Sequence, residues 1–149
     1  MAADTHGELL RFDLSMPPGT GVPVAHFHPH QEERFELVSG TARFRVGRDV
    51  RRASAGDVLV VAPGVAHRFR NDGDTELRIL VSFRPALRTE SFFEELWAGK
   101  LTRRGIPGLR TLLQMAPKNY LEEVCIAGIP LPVQRGVQRL LAAAARLLR

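Results

Sequence analysis

Cysteine is almost missing from this chain: Cys125 is the only one among 149 residues, so no intramolecular disulfide can staple the fold. That usage agrees with a reducing, cytoplasmic setting. Cys125 itself reads as a buried, inert thiol, because no cluster of His or basic residues surrounds it in sequence. Lysine is nearly as scarce, with only Lys100 and Lys118. No apolar run approaches the roughly 20 residues needed to span a bilayer, so stable membrane insertion is not expected. The opening stretch MAADTHGELLRFDL has acids but no apolar core, which argues against a secretory leader. Internal repeats of solenoid period, low-complexity linkers and a helix-turn-helix are all missing as well, and no nucleic-acid partner is expected.

What is present suits one globular domain. The length is enough to bury a core, and the apolar and charged fractions are those of an ordinary folded protein. The net charge of +5 comes almost wholly from arginine. Such a balance attracts anions in general, but it names no partner, and a solvated basic surface is the simpler account.

Short strands punctuated by turn residues fill the first part of the chain. The pattern predicts strands at Leu9–Leu14, Val22–His28, Arg34–Val38, Ala42–Val46, Asp57–Val61, His67–Arg70 and Leu77–Phe83. They are separated by Pro17-Pro18-Gly19, Pro29, Ser39-Gly40, Gly47, Ala55-Gly56, Pro63-Gly64 and Asn71-Asp72-Gly73-Asp74. Ala42, Phe44 and Val46 alternate with Thr41, Arg43 and Arg45, which implies a sheet with one buried and one wet face. The character changes near Arg84-Pro85. Ser91 and Glu94 have capping-box spacing, Phe93, Leu96 and Trp97 share a helical face, and Gly99 is a natural stop. A second helix is expected from about Pro107 to Met115, Tyr120–Ile126 is ambiguous, and Val133–Leu148 reads as an amphipathic helix. Its Val137, Leu140, Leu141, Ala144 and Leu148 lie opposite Arg135, Arg139 and Arg146. Packing against the strands or a second copy explains that stripe, and so does a membrane surface. The expected organisation is a β-barrel over residues 1–86 with a helical extension, 87–149, that has no core of its own.

The segment GVPVAHFHPHQEERFELVSG carries most of the chemistry. His26 and His28 are two apart, so on a strand both side chains leave one face. Glu33 shares parity with Phe35 and Leu37; a register that buries those two turns Glu33 inward as well. In GDVLVVAPGVAHRFRN, the Pro63-Gly64 turn presents His67 at the start of a strand, with Phe69 in phase. A single buried His is usually a core residue that has found a partner. Four ionisable side chains converging by parity are costly to bury without a shared partner, and three imidazoles plus a carboxylate suit one divalent transition metal: Fe, Mn, Ni, Cu, Co or Zn. His30 breaks the spacing, Glu32 has the wrong parity, and His6 lies in the N-terminal stretch, so none of the three belongs to the set.

These two segments resemble the two motifs of the cupin superfamily. The first, Gly, His-x-His, a short spacer, Glu, six residues and Gly, is met by His26, His28, Glu33 and Gly40; the second is met by Gly56, Gly64, His67 and Asn71. Pro63 stands one place later than the motif's proline, and Gly21 one residue closer to His26 than the leading glycine would. FRPALRTESFFEELW also resembles the extension of a group of small bacterial single-domain cupins. The resemblance implies an all-β jelly-roll barrel with a C-terminal α-helical extension, commonly dimeric, so a homodimer is expected.

A barrel of this kind hosts many functions. One reading is an enzyme: a metal held by three His and one Glu activates oxygen, as in cupin dioxygenases, or acts as a Lewis acid in isomerisation, cyclisation or hydrolysis. Glu33 is then the candidate catalytic base as well as a ligand, although a carboxylate beside a divalent cation is a weak base. Phe35, Leu37, Phe44 and Phe69 are expected to line the pocket, which suits an aromatic or aliphatic oxygen-bearing small molecule better than a sugar. The alternative is a binding or sensor module whose helices transmit or oligomerise.

Overall fold

The computed structural model describes residues 5–99 and 106–148. Eight strands come first: β1 Leu10–Met16, β2 Gly21–Phe27, β3 Glu32–Ser39, β4 Thr41–Val46, β5 Asp49–Ser54, β6 Val58–Val61, β7 His67–Asn71 and β8 Leu77–Arg84. Helices α1 Thr89–Ala98 and α2 Leu109–Met115 follow. After two short 3₁₀ turns come strand β9 Cys125–Ile126 and helix α3 Leu131–Leu147. The strands form two antiparallel sheets, one in the order β1-β8-β3-β6 and the other β5-β4-β7-β2-β9. This is the expected jelly roll, with one correction: among the described residues the ladders leave two open sheets facing each other, and no closed barrel forms.

Alternation builds the core. Along β3 the burial runs Glu33, Phe35, Leu37 inward and Glu32, Arg34 outward, as the parity of the sequence requires. Phe35, Phe44, Ile79 and Phe83 are fully buried between the sheets. The rings of Phe35, Phe44 and Phe69 pack in a triangle with centroids 5.1 Å apart on each side. Gly21 permits β2 to lie close against β7, because a Cβ there would meet the carbonyl oxygen of Phe69 at 2.5 Å.

Two strands and a helix start depart from expectation. β5 carries Asp49, Arg51 and Arg52 and buries only Ala53, so it shows no apolar period; pairing with β4 alone makes it a strand. β9 is two residues long and exists because β2 offers it an edge, with His26 opposite Ile126 and Phe27 opposite Cys125. The side chain of Gln134 continues that edge, accepting from Ile126 N–H and donating to the carbonyls of Ile126 and Ile129. Helix α1 begins at Thr89 rather than at the Ser91–Glu94 box, with no side-chain cap. Thr89 is buried there, and its hydroxyl accepts from Gln31. Phe93 and Trp97 of α1 pack on Phe12, at centroid distances of 5.1 and 5.7 Å, and close that end of the sandwich.

Helix α3 presents to the rest of the chain a face of Gln134, Ala142 and Ala145, not its large apolar side chains. Val133, Val137, Leu140, Leu147 and Leu148 stay exposed, Leu140 at 73%. No helix among the described residues is long and apolar enough to cross a membrane.

Because Phe44 is fully buried within the ring triangle, Phe44→Ala should destabilise the protein by about 3–5 kcal/mol in urea unfolding. A loss below about 1 kcal/mol would contradict this packing.

Candidate metal centre

Strand register gathers the four candidate side chains. His26 of β2 stands directly opposite His67, the first residue of β7. His28 follows two residues after His26, just past the end of β2. Glu33 enters from the other sheet, where β3 pairs it with Val61 of β6 and Phe83 of β8. One ligand atom from each of His26, His28, Glu33 and His67 fits within a 4.8 Å spread. The Pro63-Gly64 turn helps to set the depth: Gly64, at φ +78°, donates its N–H to the carbonyl of His28 at 2.8 Å.

Each imidazole is oriented by a backbone carbonyl. Nδ1 lies 3.0 Å from Val24 O in His26, 2.5 Å from Glu123 O in His28 and 2.9 Å from Val65 O in His67. A carbonyl only accepts, so Nδ1 carries the proton in all three rings and Nε2 is left for another partner. Nε2 of His67 and of His28 lie 2.6 and 3.1 Å from the same carboxylate oxygen, Oε2 of Glu33. The buried Nε2 of His28 nonetheless makes no hydrogen bond. An orphaned buried nitrogen, two further imidazoles and a carboxylate form a donor set that fits a divalent transition-metal ion. The cluster is compatible with such an ion.

Burial and mutual charge set the protonation of the group. Burial alone would raise the Glu33 carboxyl, but the His28 and His67 rings close beside it outweigh burial and hold the pKa down to about 2. Burial works against a charged His67, and the Glu33 carboxylate overcomes it and raises that pKa. His26 is held down to about 4, first by burial and then by the charge of His67.

The surroundings are mixed. The ring of Phe83 meets His28 edge-on at 5.0 Å, and Phe35 approaches His67 at 6.1 Å. Phe35, Leu37, Phe44 and Phe69 form a packed floor beneath the cluster, each at most 5% exposed. His26 is the one partly exposed member of the group. A cavity of about 140 Å³ beside His67 is bounded by Ala25, Arg45, Gly47, Ala66 and Arg68. His30 and Glu32 lie outside the cluster; His30 is exposed and meets Glu122 at 2.8 Å. Asn71 has a framework role, donating to Met16 O and Thr75 O and accepting from Gly73 N–H. Outward Arg43 and Arg70 pair with Asp72. Cys125 is buried, and that burial raises its thiol pKa.

The family model of the cupin domain matches residues 12–83. Residues 12–83 form a cupin domain. Over 58 residues the cupin is 41% identical to an uncharacterised protein of Streptomyces coelicolor, a stretch covering 38% of this chain and 54% of that one. It therefore spans about half the length of that relative. Among solved structures it is similar to a predicted oxalate decarboxylase of Thermotoga maritima, 26% identical with a TM-score of 0.55, over 57% of this chain and 74% of the other. A cupin protein of Bacteroides fragilis is 25% identical with a TM-score of 0.50, over 54% and 68% of the two chains.

Two residues of the site's surroundings escaped the sequence reading: Glu123, whose carbonyl holds His28, and Arg88, which holds Glu123. No motif or period links either of them to His28, from which Glu123 is 95 residues distant in the chain.

In metal-free protein the Glu33 contribution to stability is present above its ordinary pKa of 4.5 and lost as pH falls toward 2. The His67 contribution is complete below 6.5 and lost as pH rises through its raised value. The melting-temperature advantage of metal-free wild type over Glu33→Gln should therefore be largest between pH 4.5 and 6.5. An advantage that grows on further acidification would contradict this pairing.

Proposed function

We propose that this cupin holds one divalent transition metal through Nε2 of His26, His28 and His67 and the carboxylate of Glu33, and that it acts on a small, largely apolar or aromatic oxygen-bearing molecule. The observation that carries the reading is the common orientation of the rings: all three Nδ1 atoms are spent on backbone carbonyls. That arrangement is the usual outer support of metal-bound imidazoles. The metal, among Fe, Mn, Ni, Cu, Co and Zn, would supply open coordination positions and Lewis acidity.

The chain's own residues then have separable roles. The carbonyls of Val24, Val65 and Glu123 hold the tautomers, and the Phe35–Leu37–Phe44–Phe69 floor and Phe83 keep bulk water off the buried side. His26 marks the open side from which a ligand approaches. Glu33 carries the negative charge that offsets the cation and is the candidate base on release from it. The reaction is of dioxygenase type or a Lewis-acid isomerisation or cyclisation. The alternative, a non-catalytic binding or sensor cupin, uses the same centre to hold its ligand. The small cavity beside His67 and the absence of a second buried acid–base group from the cluster favour neither reading.

The partner side of the proposal is a homodimer through α3. Val133, Val137, Leu140, Ala144 and Leu147 recur at alternating spacings of four and three, the period of a two-helix seam. The flanking Gln134, Gly136, Leu141, Ala143 and Leu148 carry no charge, and Arg135, Arg139 and Arg146 lie further round the helix. A second copy meets no like charge there, whereas a lipid surface would be served by arginines beside the apolar stripe.

Purified protein should carry about one transition metal per chain by elemental analysis. His28→Ala and His67→Ala should remove most of it, and His30→Ala should not; equal effects of the three would reject the ligand set. Oxygen uptake by iron-loaded protein with phenolic or enolic compounds supports the oxygenase reading. Isomerised or cyclised product without oxygen uptake supports the Lewis-acid reading, and ligand bound and returned unchanged supports the sensor. Sedimentation should show a dimer that Val137→Glu/Leu140→Glu converts to monomer with its metal retained; a monomeric wild type at tens of micromolar would reject the α3 interface.

A further inference from the structure

The three histidines are supported unequally. His26 and His67 each lean on a carbonyl two residues back, Val24 within β2 and Val65 just before β7. Both contacts are local, within two residues of the ring they hold. His28 leans on Glu123, 95 residues away, in the segment between α2 and α3. Its orientation therefore depends on that segment being docked.

One arginine reaches the segment at three points, beside the β2–β9 pairing and the bonds of Lys118 and Tyr120 to Glu95. Glu123 is 2% exposed, and its carboxylate pairs with the Arg88 guanidinium, Nε to Oε1 at 3.0 Å. The same guanidinium donates to the carbonyls of Lys118 and Asn119 at 2.8 and 2.7 Å and lies over the ring of Tyr120 at 5.1 Å. Asn119, at φ +52°, takes the left-handed turn within this stretch, between the two short 3₁₀ turns. Bonds from all three nitrogens of the planar fork thus converge on the turn and on the Glu123 carboxylate that follows it. Glu123 is bound at both ends, its carboxylate to Arg88 and its peptide carbonyl to His28. Beside it, exposed His30 meets Glu122 at 2.8 Å, a weaker tie of the same two segments.

We propose that the C-terminal extension is part of the metal centre: Arg88 positions Glu123 so that its carbonyl locks His28, and metal loading and docking of residues 116–126 stabilise each other. This rests on the metal reading above. Arg88 is a positioning residue, acting on the metal through Glu123 and His28. By linkage, whatever strengthens metal binding when the segment docks must strengthen docking when metal binds. The extension is then a built-in control point, since a partner or modification that draws Arg88 away would release metal without touching a ligand.

The test uses the full chain with cobalt(II) or zinc(II) alone as probe. Titrations followed by the visible cobalt band should give a dissociation constant 10–100-fold weaker for Arg88→Met than for wild type, the usual range for loss of an outer support. Glu123→Gln, which keeps the carbonyl and drops the ion pair, should move the same way. Arg78→Met, which removes an exposed pair with Asp13, should leave the constant unchanged. Hydrogen exchange should show amides of 120–126 slowing on metal addition in wild type and slowing less in Arg88→Met. Wild-type affinity in both Arg88→Met and Glu123→Gln, or exchange in 120–126 indifferent to metal, overturns the coupling while leaving the metal reading intact. A wild type that binds neither metal brings down both.

Discussion

Backbone carbonyls orient the three imidazoles, and most of what distinguishes this molecule follows from that. A histidine has two ring nitrogens, and the one that meets a carbonyl is obliged to carry the proton. With Val24, Val65 and Glu123 each occupying an Nδ1, the remaining nitrogens are committed to the interior, where Glu33 supplies the only carboxylate of the cluster. Burying such a group is expensive unless its charges are matched. In the protein alone the match is made by sharing protons between Glu33 and its histidines; a divalent cation makes it more completely. Stability and proposed function thus draw on the same four side chains.

The scaffold is arranged to keep those side chains from relaxing. His26 and His67 are cross-strand neighbours, so neither moves without disturbing the β2–β7 ladder. Glu33 is fixed in β3 by Phe35 and Leu37, whose burial prevents the one-residue slip that would turn it to solvent. Beneath lies the ring triangle of Phe35, Phe44 and Phe69, too closely packed to yield space. His28 alone stands beyond the end of its strand, and it is the one supported by the C-terminal segment.

The cupin fold hosts many chemistries, and membership carries no substrate with it. Apolar rings stand beside His28 and His67, while the modest cavity next to His67 is bounded by Arg45 and Arg68. On the outer sheet face Asp72 engages Arg43 and Arg70. The exposed stripe on α3 adds a different kind of information. Its inward face is glutamine and alanine, so its large apolar side chains are available for something outside the chain.

Strand alternation is a local property, and the sequence by itself was enough to determine most of the sandwich strands, the inward parity of Glu33 with Phe35 and Leu37, and the shared face of His26 and His28. Side chains two apart share a face whatever the rest of the chain does. Where no period exists, the sequence was silent: β5 has no apolar alternation and becomes a strand only because β4 lies beside it, and β9 is a strand only because β2 has a free edge. The Ser91–Glu94 box lost to Thr89 because burial against Gln31 outweighed a local cap. Tertiary structure alone decided that two open sheets form instead of a closed barrel, that the apolar stripe of α3 faces outward, and that Arg88 and Glu123 reach His28. Each of those depends on contacts between residues far apart in the chain, and no short-range pattern encodes which distant surfaces will meet.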